Sequence, residues 1–226
     1  MNNIISKTII IILLLTNNSF AMINFGLGPN FSNGEEGNES VIGNDGNDNI
    51  YGGSGTNIIQ GGAGNDILTG GEDDDRIEGG DGNDIIFGRS GGDELYGGSG
   101  DDIISAGQGN DILIDGKGSD NLIGGADNDI FILSKNYKAI DSDVIEDFNK
   151  NEDTIIIKLD YDKPITFTTL QSLMSQNGDD IEINFASGQK IIIKNTLLSD
   201  LNSDNVTISL DEDLCRAIWG QTPIFL

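Results

Sequence analysis

From Gly34 to Ile132 the chain divides without insertion into eleven blocks of nine residues, beginning GEEGNESVI, GNDGNDNIY, GGSGTNIIQ, GGAGNDILT and ending DGKGSDNLI, GGADNDIFI. Position eight is apolar in every block, from Val41 and Ile50 to Leu122 and Phe131. Position six is aspartate in nine blocks, with Glu39 and Asn57 as the exceptions. Such a period fits neither a coiled coil nor one face of a helix. It fits a short strand followed by a turn, repeated as a solenoid. One inward apolar residue per block buries little alone, but stacked coils share a continuous core.

The last three residues of each block read as the strand, with position eight inward and positions seven and nine outward. Glycine at positions one, two and four supplies backbone conformations closed to other residues. The position-six aspartate then stands in a glycine-rich turn beside exposed carbonyls. Carboxylate and carbonyl oxygens are the ligands a hard cation such as Ca²⁺ prefers.

These blocks resemble the GGxGxDxUx nonapeptides of the RTX (hemolysin-type) calcium-binding repeats, where U is a large apolar residue. The resemblance implies an all-β fold: a right-handed parallel β-roll with two blocks per coil. It also implies several Ca²⁺ ions, each between two turns on one edge. By the resemblance their ligands are the position-six residues Asp48, Asp66, Asp75, Asp84, Asp93, Asp102, Asp111, Asp120 and Asp129, with turn carbonyls. The glycines expected beside them are Gly46, Gly64, Gly82, Gly100 and Gly118. The blocks at Gly43, Gly61, Gly79, Gly97 and Asp115 all keep glycine at position four and aspartate at position six. Their edge should therefore bind more strongly than the other. There Glu39 and Asn57 replace aspartate, and Asp73 and Asp127 replace glycine.

Composition narrows the function. Thirty-eight acidic and 12 basic residues give a formal charge of −26, which opposes binding to nucleic acid or anionic membranes and favours cations as partners. Histidine is absent and Cys215 is the single cysteine, so histidine-based triads, thiolate zinc sites and intramolecular disulfides are excluded. Gly88 to Gly92 spell GxSxG, but they are the first five residues of a nonapeptide and no histidine can act as base. No catalytic residue is expected.

Residues 1–21 resemble a secretory signal peptide: Lys7, an apolar run from Ile9 to Leu15, and small residues at Ser19 and Ala21. The run is too short for the ~20 residues of a membrane span. The expected organisation is a linker at 22–33, the roll at 34–132, a capping flank at 133–210 and a tail at 211–226. Asp141–Leu159 is similar to the segment after the roll in RTX proteases. Leu170, Leu173 and Met174 predict a short helix over Thr169–Gln176, and Asn177–Asn195 reads as a hairpin around Ser187 and Gly188. The apolar end, Ile218 to Leu226, reads as a secretion or docking signal, a terminal strand or a frayed end.

Two functions fit. One is a non-enzymatic, exported calcium-binding module for adhesion, surface structure or toxin-like interaction, with a protein or cell-surface partner. The other is a Ca²⁺-dependent accessory subunit or remnant of a secreted enzyme. Cell surface, medium and periplasm all remain as destinations. An outward stripe of Ile67, Ile85, Ile103 and Phe87 calls for a cover from residues 22–33, the C-terminal flank, a partner or self-association, unless it reflects strand propensity alone.

Overall fold

The computed structural model describes residues 21–34, 36–135, 140–159 and 166–209. Residues 1–20 of the expected signal peptide, Cys215 and the apolar C-terminus lie outside the described residues. Strands β1 (Ala21–Asn24) and β2 (Phe31–Asn33) precede the repeats. The repeats then supply β3 (Glu39–Asp45), β4 (Asn49–Gly53), β5 (Ile58–Ala63), β6 (Ile67–Gly71), β7 (Arg76–Asp81) and β8 (Ile85–Ser90). They continue with β9 (Glu94–Ser99), β10 (Ile103–Gln108), β11 (Ile112–Lys117), β12 (Asn121–Ala126) and β13 (Ile130–Lys135).

Odd and even strands separate into two sheets. One runs β1-β3-β5-β7-β9-β11-β13, the other β2-β4-β6-β8-β10-β12, and within each the neighbours are parallel and in register. Each strand thus pairs with the strand two blocks away, and eighteen residues make one coil, as in the pairing of Ile67 with Ile85. The position-eight side chains fill the space between the sheets and are wholly buried from Val41 through Phe131.

The strands run past the block boundary. In β10, Ile104 and Ala106 both face inward, so position one of the next block is an interior position. That explains its glycine. At Gly61 a Cβ would collide with the Asp66 carboxylate and the Gly79 carbonyl of the following coil. At position four the demand is conformational as well: Gly64 has φ +132°, and the carbonyl of Gly46 packs against it.

The stretch expected as a linker is part of the roll. Residues 25–33, FGLGPNFSN, form a degenerate block of their own, and β1 and β2 add an edge strand to each sheet. At the other end, β14 (Ser142–Ile145) and β15 (Thr154–Leu159) extend the two sheets in parallel. The expected helix is shorter and earlier: α1 (Phe167–Gln171) is capped by the Thr166 hydroxyl and buries Leu170. Met174–Asn177 is instead strand β16, paired antiparallel with β17 (Asp180–Asn184). Cross-strand pairing overrides the helical spacing there, because β17 offers an edge and a helix running on would leave that edge bare. The hairpin is as expected: β17 pairs antiparallel with β18 (Lys190–Ile193), and β18 pairs parallel with β14. Strand β19 (Val206–Ser209) closes the first sheet beside β15.

The outward stripe is solvent-facing. Ile67, Phe87 and Ile103 are each about 40% exposed, and Ile85 is half-buried between them. Neither described flank covers it, since both extend the sheets at their ends. Among the described residues no helix is long and apolar enough to cross a membrane.

Candidate calcium centres along the two edges

Each turn turns its position-six side chain inward, and the carboxylates stack in a column along each edge. One carboxylate oxygen accepts the backbone N–H of the position-six residue one coil earlier. On the first edge the Asp48, Asp66, Asp84 and Asp102 N–H groups donate to the Oδ1 atoms of Asp66, Asp84, Asp102 and Asp120, at 2.7–2.8 Å. On the second edge the Asn57, Asp75, Asp93 and Asp111 N–H groups donate to Asp75, Asp93, Asp111 and Asp129, at 2.7–3.1 Å. All nine expected aspartates are buried and lie in these two columns.

The other oxygen is the informative one. Oδ2 of Asp48, Asp66, Asp75, Asp84, Asp93, Asp102, Asp111 and Asp129 is buried and accepts no hydrogen bond among the described residues. An ionised carboxylate in that condition is strongly unfavourable. Burial raises the carboxyl pKa of Asp84, Asp93 and Asp129 to about 7, and of Asp75, Asp102 and Asp111 to about 6. Neighbouring carboxylates add to the effect: Asp102 and Asp66 act on Asp84, and Asp111 and Asp75 on Asp93. Two of the three basic residues of the repeats are engaged elsewhere. Arg76 pairs with Glu94 at 3.1 Å on the outer face, and Arg89 lies over the Tyr51 ring.

Two asparagines show what fits beside those oxygens. Asn30 occupies position six of the degenerate block, and its Nδ2 donates to the carbonyls of Gly26, Gly28 and Gly43 at 3.0, 2.6 and 3.3 Å. The same nitrogen lies 3.0 Å from Asp48 Oδ1. An amide group, a donor with partial positive charge, thus sits among three turn carbonyls and a carboxylate. Asn57 repeats this more simply, its Nδ2 donating to Gly55 O at 2.8 Å. Where aspartate replaces asparagine the donor is lost while the oxygens remain. A hard cation with oxygen ligands fits such a set. Gly46, Gly64, Gly82, Gly100 and Gly118 all take φ between +128° and +134° in these turns. Asp127, the expected misfit at position four, is held at φ +80°, whereas Asp73 avoids positive φ.

The columns extend beyond the nonapeptides. The Asn30 N–H donates to Asp48 Oδ1, the Asp120 N–H to Asp143 Oδ1, and the Asp129 N–H to Asp153 Oδ1. Asp143 and Asp153 were not singled out from the sequence because the glycine rhythm had ended. Their signal is the surviving aspartate–any–apolar triplet, Asp143-Val144-Ile145 and Asp153-Thr154-Ile155. A second, outer ladder also went unread. Position-five Asn47, Asn65 and Asn83 each accept the N–H of the residue one coil later at 3.0 Å, opposite in direction to the aspartate ladder.

The model of the RTX calcium-binding nonapeptide repeat matches four overlapping segments, residues 33–68, 60–95, 69–104 and 96–131. No curated protein matches the chain. Among solved structures, the chain is similar to the extracellular lipase LipA from Serratia marcescens, with 16% identity and a TM-score of 0.34. The match covers 86% of this chain but only 41% of the lipase. It is also similar to the AlgE6R3 subunit of the Azotobacter vinelandii mannuronan C5-epimerase, with 24% identity and a TM-score of 0.31, over 60% of this chain and 78% of that one. With the parallel roll and its two carboxylate columns, the repeat match identifies residues 33–131 as RTX calcium-binding nonapeptide repeats.

Proposed function

We propose that the chain is an exported module that folds on binding Ca²⁺ and serves as a non-enzymatic surface, adhesion or toxin-like interaction domain. The observation that carries this reading is the set of eight buried carboxylates whose Oδ2 atoms have no donor among the described residues. On the first edge Asp48, Asp66, Asp84, Asp102 and Asp120 would hold the ions with the turn carbonyls around Gly46, Gly64, Gly82, Gly100 and Gly118. On the second edge the ligands would be Asp75, Asp93, Asp111 and Asp129. Bound calcium supplies the positive charge that these oxygens otherwise lack.

Export is supported by the signal-like segment ending at Ala21 and by the chemistry itself. Extracellular modules bind Ca²⁺ with Kd on the order of 10⁻⁴–10⁻³ M, so such a chain would stay open in a calcium-poor cytoplasm. A non-enzymatic role is supported by the use of the buried acidic groups as ladder acceptors, which leaves them committed to neighbouring coils. Isothermal titration of the chain with CaCl₂ tests the binding. Several ions should enter in the millimolar range or tighter, and no binding at 10 mM or so would refute the reading.

A further inference from the structure

The odd-numbered sheet carries a groove of about 660 Å³ on its outer side, running across the strands from β3 to β13. Its floor is a row of position-two residues, Asn44, Gly62, Gly80, Gly98 and Gly116, each in register with the next. The four glycines hold φ between +110° and +115°, and a Cβ on any of them would strike a carbonyl of the coil before. The row is therefore a trough without side chains. The matching row of the other sheet is occupied. Arg89 stands there between Gly71 and Gly107, its guanidinium 5.3 Å from the centre of the Tyr51 ring.

The row continues past the repeats. Ser134 lines the near end of the groove, Ser134 pairs with Lys158, and Lys158 pairs with Ser209. Ser209 ends β19 and is the last described residue, so the chain leaves in line with the groove and two strands from its end. The residues that follow, 210–219, read LDEDLCRAIW. Neighbouring strands lie about 4.8 Å apart, and an extended chain advances about 3.3 Å per residue. Lys117 on β11 is three strands from Ser209, roughly 14 Å, which about four extended residues span, as far as Asp213. Asp81 on β7 is five strands away, roughly 24 Å, and about seven residues bring Arg216 there. Ile42 on β3 is seven strands away, roughly 34 Å, and about ten residues bring Trp219 there.

The charges follow in matching order. Asp211, Glu212 and Asp213 come to Lys117, and Arg216 comes to Glu78 and Asp81. Lys117 and Asp81 are exposed, and neither has an ion-pair partner among the described residues. Ile218 and Trp219 come to the far end, where Gln60, Gly62, Ile42 and Asn44 line the groove without charge. We infer that residues 210–219 lie extended in this groove as the chain's own strap, joining the flank to the first coils of the roll. The strap depends on the fold of the roll and not on which ion occupies its edges.

Cys215 and Trp219, the single cysteine and the single tryptophan of the chain, fall inside the strap and give it two reporters. The test uses the full chain in millimolar CaCl₂ with a nitroxide on Cys215, read by amide NMR. The signals of Gly80, Gly98 and Gly116 should be lost to paramagnetic broadening, while those of Ile67 and Ile103 on the opposite face are kept. Asp81→Lys should bring part of the lost signals back, and Asp81→Lys combined with Arg216→Asp should lose them again. Trp219 emission should shift to the red and become more open to iodide quenching in Asp81→Lys. Loss at Ile67 and Ile103 instead would put the tail on the apolar stripe and overturn the strap. No loss anywhere, or wild-type loss in Asp81→Lys, would overturn it too. Loss of the Gly80 and Gly98 signals in an isotope-labelled, nitroxide-free chain mixed with nitroxide-labelled chain would put a second copy's tail in the groove, which also contradicts it.

Discussion

Asn57 and Asp84 sit at the same position of the repeat and do opposite things. Asn57 brings its own donor, so its turn is satisfied without a cation. Asp84 presents a buried Oδ2 that accepts no hydrogen bond among the described residues. Asp84→Ala should therefore weaken calcium binding at its site by about tenfold or more, and Asn57→Ala should change the titration little. Equal losses would contradict the division between the edges. The raised carboxyl pKa values predict a pH dependence as well. Without calcium, the folded roll holds protons on Asp84, Asp93 and Asp129 up to about pH 7, while the unfolded chain releases them near 3.8. The folded state binds more protons in that window, so its stability falls as pH rises through it. In chelator, β-structure should be greater at pH 5 than at pH 7.5 by circular dichroism, and the reverse order would contradict the assignment. At this scale the aspartates were legible because each recurs at a fixed interval. Asn30, Asp143 and Asp153 were not, because an amide, a longer loop and missing glycines hid the same geometry.

At the scale of elements, the repeat strands were legible from one apolar residue per block, although they run two or three residues further than the apolar triplet. The extension makes position one interior and leaves no room for a side chain at most blocks. Position four is equally exacting. Gly64→Ala should destabilise the calcium-bound roll by about 1–3 kcal/mol, because alanine resists φ +132° and its Cβ would meet the Gly46 carbonyl. An unchanged thermal midpoint would contradict that. The outward stripe is a contrasting case. Ile103 is 43% exposed, so Ile103→Thr should shift stability by no more than about 0.5 kcal/mol. A larger loss in a monomer would mean that further chain packs on this face. The flank was harder to read. Leu170, Leu173 and Met174 satisfy a helical period, yet Met174–Asn177 pairs with β17, and only the tertiary edge decides between the two.

For the whole molecule, the decisive quantity is charge. Residues 34–132 carry 22 acidic and 3 basic side chains, 3 − 22 = −19, and nine of those aspartates are buried in two columns. The apolar core is one side chain wide, and the glycines add to the entropy that folding must overcome. The two hydrogen-bond ladders set the spacing of the coils but leave Oδ2 of Asp48, Asp66, Asp75, Asp84, Asp93, Asp102, Asp111 and Asp129 without a donor among the described residues, so under the proposed calcium reading metal free energy becomes folding free energy. Far-ultraviolet circular dichroism of the chain at pH 7.5, first in excess chelator and then with millimolar CaCl₂, tests this most directly. The account predicts a largely unfolded spectrum in chelator and a cooperative gain of β-structure as calcium is added. A full β spectrum already present in chelator, unchanged by calcium, would contradict it.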